Sequence, residues 1–201
     1  MFLVRDKIES NRAKFVLSNQ DGTIFLTSSF YDDIYDNERW ILATRVKPIA
    51  YPIEGSYANS ANPTYEISFY GVNNEFGEVK NRFSVSASLD FASGSSYMSE
   101  AKRVYVGAHR TNFTGSVLQN TDVEIGACRF WFDYLSDFDL TAHSKDITNL
   151  GVDNSTRNGT LFATDLTNVP IPRSDTLALN WDFDLVTSSS AGGTFEVADV
   201  S

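Results

Sequence analysis

The chain has 201 residues, a formal net charge of −10 and a pI near 4.6. That acidity excludes nucleic acid and anionic membranes as default partners, because both need a Lys/Arg surplus on some face. Hydrophobic residues make up 42% and aromatics 13%, enough for a sizeable core in one domain, or one domain plus part of another.

Single-residue chemistry narrows the field further. With one cysteine, Cys128, neither an intramolecular disulfide nor a Cys-based zinc site can form. The opening MFLVRDKIES has no basic segment leading into a long apolar run, so no signal peptide is expected. No stretch approaches the roughly 18 apolar residues of a membrane helix, so no membrane insertion is expected. Sequons at Asn112, Asn154 and Asn158 occur in a chain rich in Asn, Ser and Thr and carry little weight.

In chain order, FVLSNQDGTIFL (15–26) reads as a hairpin whose Asp21-Gly22 pair supplies positive φ at the turn. YDDIYDNE (31–38) is an acidic loop, and Trp40 to Lys47 is a strand ended by Pro48. After the turn-rich EGSYANSANPT (54–64), Tyr65, Ile67 and Phe69 alternate with polar residues. NNEFGE (73–78) is another turn. RFSVSASLDF (82–91) then places Phe83, Val85, Ala87, Leu89 and Phe91 on one face. ASGSSYMSE (92–100) reads as a turn, and Val104, Val106 and Ala108 as a strand face.

From Val123 to Tyr134 a strand is expected with Cys128, Phe130, Phe132 and Tyr134 pointing inward. Cys128 is then a buried small hydrophobe and not a nucleophile. Arg129, Trp131 and Asp133 share the other face. The rhythm then turns helical. Ser136 at the N-cap and Asp139 at N3 form a capping box, and Leu135 and Leu140 stand at the staple positions. Asp137 and Asp139 suit the positive end of the helix dipole. His143 rides this helix, expected near 136–147, toward its C-terminal end. A loop or linker follows (151–175), then DNSTRNGT within it, then alternation from Leu177 to Leu185. Many strands, abundant turns and one short helix predict an all-β antiparallel sandwich.

At this point the residues resemble a known pattern. RFW (129–131), YLS (134–136) and an acidic short helix ending in His143 resemble the closing segment of laminin-G-like, concanavalin A-like jelly-roll modules. RWILATRVKP (39–48) is similar to the family's strand ending W-V-K-P, with Arg45 where the family has Trp. RVYVGAHRTNFTGSV (103–117) resembles its V-G…F-x-G segment. These matches span roughly residues 38 to 143, about half the chain. TLALNWDFD (176–184) resembles the opening strand of such a module. It either completes this sandwich or starts a next one, which makes the division 1–150 for the sandwich, 151–175 for the linker and 176–201 for terminal strands. The wording VYVGAHRTNFTGS…DYLSDFDLTAHSKD also looks like modules of tailed-bacteriophage structural proteins. The resemblance implies a virion or extracellular location and other virion proteins or further modules as partners. Because ALNWDFDLVTSSSAGGTFEVADVS stops in strand-like text, the chain is expected to be a segment cut from something longer.

For catalysis, the resemblance raises jelly-roll glycoside hydrolases, which carry an E-x-D-x-x-E run with carboxylates on one strand face. No such run occurs. Asp182 and Asp184 share a face without a third carboxylate in register. No G-x-S-x-G, G-x-x-x-x-G-K-[ST] or H-E-x-x-H occurs. For metal, Asp32, Asp33 and Asp36 offer hard oxygen ligands of the kind that suit Ca²⁺. For glycan, Arg129, Trp131 and Asp133 would form a platform, combining an aromatic face with polar groups for hydroxyls; His109-Arg110 is a weaker second candidate. The expected function is a non-enzymatic virion structural or adhesion module engaging host polysaccharide. The alternatives are a purely architectural module without ligand and a glycoside-active enzyme.

Overall fold

The computed structural model describes residues 1–19, 22–51, 62–110, 116–120, 124–148, 150–152, 173–189 and 195–201. Asp21, the three sequons and most of the 151–175 segment lie outside them, as do the side chains of His109, Arg110 and Asp184. The described chain is mostly β, in antiparallel sheets. It divides into two compact units, one of Met1–Ser99 with Tyr134–Pro172, the other of Glu100–Asp133 with Arg173–Ser201.

The first unit holds two three-stranded sheets. One is β1 (Phe2–Arg5), β2 (Ala13–Ser18) and β3 (Phe25–Thr27). The expected hairpin is there, with Val16 opposite Thr27 and Ser18 opposite Phe25. The other sheet is β4 (Trp40–Pro48), β5 (Tyr65–Glu75) and β6 (Glu78–Leu89). Its registers put Ala43 opposite Tyr70, and Tyr70 opposite Ser84.

Period-two alternation decides what this sheet buries. Phe83 and Leu89 are buried, while Arg82, Ser84, Ser86 and Ser88 on the opposite face of β6 are exposed. The buried face shares one hydrophobic cluster with the first sheet, built from Ala13, Phe15, Leu26, Ile67, Phe69 and Phe83, among others. Phe15 lies 4.7 Å from Trp40 and 5.6 Å from Phe83, and Phe83 meets Phe69 edge-on at 5.1 Å. Each fully buried ring contributes on the order of 2–3 kcal/mol, so this cluster is the main stabilising element of the unit.

Two helices belong to the same unit. α1 (Phe91–Ser99) occupies text that reads as a turn, so the described residues hold one more α-helix than the sequence pattern predicts. Phe91 opens this helix and does not extend β6. Asp90 starts it by accepting the Ser93 amide at 2.7 Å. Gly94 is buried against β5, where an added Cβ would sit 2.2 Å from the Tyr65 ring. The glycine that weakens the helix signal is therefore the residue that lets the helix dock. α2 (Asp137–Lys145) has the expected capping box: Ser136 accepts the Asp139 amide and Asp139 accepts the Ser136 amide. Leu135 and Leu140, the staple pair, are both buried.

The second unit contains β7 (Ala108–Arg110) paired with β8 (Val117–Asn120). It also holds a sheet in the order β11 (Phe195–Asp199), β10 (Leu177–Ser189) and β9 (Ala127–Trp131). Two expectations change here. Val104 and Val106 precede β7 and make no strand ladder. Phe132 lies beyond the end of β9 and is 77% exposed, with its ring edge-on to Phe130 at 5.2 Å. Alternation continues in the text past Trp131, but the ladder to β10 stops at Leu177 opposite Trp131, so nothing turns Phe132 inward.

Candidate functional site

The glycan platform read from the sequence lies on and just after β9. Arg129 stands opposite Asn180 of β10, and its Nε donates to Asn180 Oδ1 at 2.8 Å. Asn180 is buried, and its backbone N–H donates to Asp199 Oδ1 at 2.9 Å. Asp133 pairs with Arg173 at 2.7 Å. Trp131 is half-buried. Two of the three platform residues thus spend a polar group on a cross-strand or loop bond. Cys128, on the other face of β9, is half-buried, and burial pushes its thiol pKa up. A raised pKa keeps it a thiol at neutral pH, the unreactive form.

The stretch YLSDFDLTAHS, dense in potential acid–base groups, is bound into structure at almost every polar position. Arg45 of β4 is buried on the β4–β5 face that carries α2. Its guanidinium pairs with Asp137 at 2.6 Å, donates to the Leu135 carbonyl at 3.0 Å and to Ser68 at 3.3 Å. It also lies 4.9 Å from the Tyr134 ring centroid and 5.2 Å from that of Tyr70, within cation–π range. Arg39, just before β4, donates to the carbonyls of Ser144 at 2.9 Å and Lys145 at 3.2 Å. Those carbonyls belong to the last turn, where no intrahelical donor exists. One strand and its lead-in therefore hold both ends of α2. His143 is 3% exposed within this packing.

The acidic loop does not act as one ligand set. Asp32 turns to Arg12 at 3.3 Å and is 79% exposed. Asp33 has positive φ, 62°, and its carbonyl accepts the Asp36 amide at 2.9 Å. Asp36 accepts from Asn11 at 2.7 Å. Among the described residues, no three or more His, Cys, Asp or Glu side chains are grouped to hold a metal ion.

Asp33 and Asp36 instead border an open cleft of about 580 Å³, lined also by Asn37, Glu38, Arg39, Asn73, Asn74, Glu75, Phe76 and Lys80. Lys80 bridges Glu38 and Glu75, the latter at 3.4 Å. Its hydrogen bond to Glu38 holds its ammonium above the usual lysine range. Glu38 also accepts from the Trp40 indole at 3.3 Å. Asn73 is 2% exposed and donates to the Arg39 carbonyl at 2.9 Å, while its Oδ1 has no hydrogen-bond partner. The Nδ2 of neighbouring Asn74 has none either. Leaving a buried polar atom unpaired costs about 1–3 kcal/mol.

Sequence reasoning found Asp33 and Asp36 but passed over the rest of this cleft. The signal was in NNEFGE, where a Phe-Gly pair joins two alternating strands. β5 and β6 close on Glu75 opposite Glu78, leaving Phe76 and Gly77 as a two-residue loop with φ of 52° and 85°. Positive φ at both positions is the type I′ hairpin signature, which favours Asn-Gly, Asp-Gly or Gly-Gly. A Phe there is out of place. Compared with known proteins, the chain matches no family model, no curated protein and no solved structure.

Proposed function

We propose that this chain is a laminin-G-like, concanavalin A-like jelly-roll module of a tailed-phage virion, serving structure and adhesion without catalysis and engaging host-surface glycan. The sequence resemblance supplies the family. Two antiparallel sheets sharing one aromatic cluster in the first unit are compatible with it. One observation carries the non-catalytic part. In the stretch densest in acid–base groups, Asp137 pairs with Arg45, Asp139 caps α2 and His143 is buried. General acid–base work needs such groups within reach of a substrate, and here they serve the fold.

The runner-up is a purely architectural module. The engagement of Arg129 with Asn180 and of Asp133 with Arg173 favours it, because a platform committed to internal bonds has less to offer a sugar. A glycan array, run with and without EDTA, separates the readings. Saccharide binding is the expected result. No binding to any host polysaccharide leaves the architectural module, and turnover of a polysaccharide overturns the non-enzymatic reading.

A further inference from the structure

We infer that the saccharide site is the cleft beneath the β5–β6 hairpin, with Phe76 as its stacking surface, and that it takes neutral or amine-bearing sugars and not acidic ones. This rests on the adhesion reading above but moves the site away from β9.

Two observations converge on the cleft. Phe76 is 99% exposed and sits at positive φ, 52°, where a bulky side chain is disfavoured. Asparagine would suit that turn position better, so neither local conformation nor burial accounts for the ring. Next to it, Asn73 is almost wholly buried, lines the cleft and keeps an unpartnered Oδ1, and Asn74 keeps an unpartnered Nδ2. Both atoms are closed to solvent as they stand, so a ligand hydroxyl would satisfy them once the side chain turns toward the cleft.

The lining decides the ligand class. It has four carboxylates (Asp33, Asp36, Glu38, Glu75), three asparagines, two cations and one aromatic. Protein-interface cores are depleted in charge and enriched in several aromatics, which this cleft is not. A sugar ring presents a CH face for one aromatic and hydroxyls for amides and carboxylates. Lys80 is already held between Glu38 and Glu75 and Arg39 donates to the Ser144 and Lys145 carbonyls, so an acidic sugar would have to compete for either cation. An amino sugar meets complementary charge.

The test is a glycan array followed by calorimetric titration of the best hit, on the parent and on Phe76→Asn, Asn74→Ala and Trp131→Ala. Neutral or amine-bearing hits are expected. Phe76→Asn should weaken them by about tenfold, the size of one lost aromatic contact, while its melting temperature rises. Asn74→Ala should weaken them several-fold, and Trp131→Ala should bind as the parent does. Undiminished binding by both Phe76→Asn and Asn74→Ala overturns the site but leaves adhesion standing. Loss confined to Trp131→Ala returns the site to β9. Hits confined to acidic glycans overturn the ligand class. No hit for the parent, with Phe76-dependent self-association in sedimentation, replaces the sugar by a second copy of the chain and removes the adhesion reading with it.

Discussion

Arg45 and Phe76 lie in the same β4–β5–β6 sheet unit, and they show opposite uses of an unusual residue. Arg45 is a long cation buried in a strand, and every side of it is matched: a carboxylate, a carbonyl, a hydroxyl and two rings. Phe76 is a large apolar ring in a strained turn, and nothing covers it, while the asparagines beside it hold polar atoms with no partner. A buried charge is tolerable only with partners. An exposed ring in the wrong turn stabilises nothing. Around Arg45 the chain resolves its local conflict, whereas around Phe76 it keeps one. Unresolved conflicts of that kind concentrate at functional sites.

The comparison breaks most sharply at Arg45. Replacing it with Met should cost about 3 kcal/mol in a urea melt, because the Leu135 carbonyl and Ser68 lose their donor. The figure sits at the low end for a broken buried pair because Asp137 is 52% exposed and recovers water. A loss below about 1 kcal/mol would mean that the helix docks without the arginine. Gly94→Ala should come next. Its Cβ would meet the Tyr65 ring at 2.2 Å, and overpacking of this kind costs about 1–3 kcal/mol. A neutral result by thermal melting would show that α1 sits off β5.

Ser136→Ala removes one half of the capping box and should cost about 1 kcal/mol. Circular dichroism melts that match the parent would contradict the cap. Acid titration probes a smaller effect at α1. The Ser93 amide, bonded to the Asp90 carboxylate, holds that carboxyl below its usual range. Its contribution is therefore complete above the unfolded-state value of about 3.9 and fades as pH falls through the lower folded value. Between pH 5 and pH 2.5, the parent should lose more stability than Asp90→Asn. Equal losses would show that the carboxylate has no such role.

What could be read from the text follows from the physics behind each signal. Alternation reports one-sided burial, so β4, β5, β6 and β10 were legible, down to the Phe83–Leu89 inward face. The capping box is a local hydrogen-bond pattern and was legible at Ser136 and Asp139. Docking requirements are not local. Gly94 weakens its own helix in order to admit Tyr65, so α1 read as a turn. Phe132 continues a pattern after its ladder partner has ended, so it read as core. Arg45 read only as a departure from the W-V-K-P strand, because the carbonyl and carboxylate that hold it, on Leu135 and Asp137, lie some ninety residues further along. The cleft draws on two segments, one around Asp33–Arg39 and one around Asn73–Lys80, and only the acidic half of it carries a compositional signal.

The claim that Phe76 is kept against the interests of the fold is testable without any ligand. Differential scanning calorimetry of Phe76→Asn should show a melting temperature above that of the parent, by a few degrees at most, because asparagine relieves positive-φ strain worth about 1 kcal/mol. An unchanged or lower melting temperature would show that the ring contributes to stability where it stands, and would remove the ground for treating the hairpin as a functional feature.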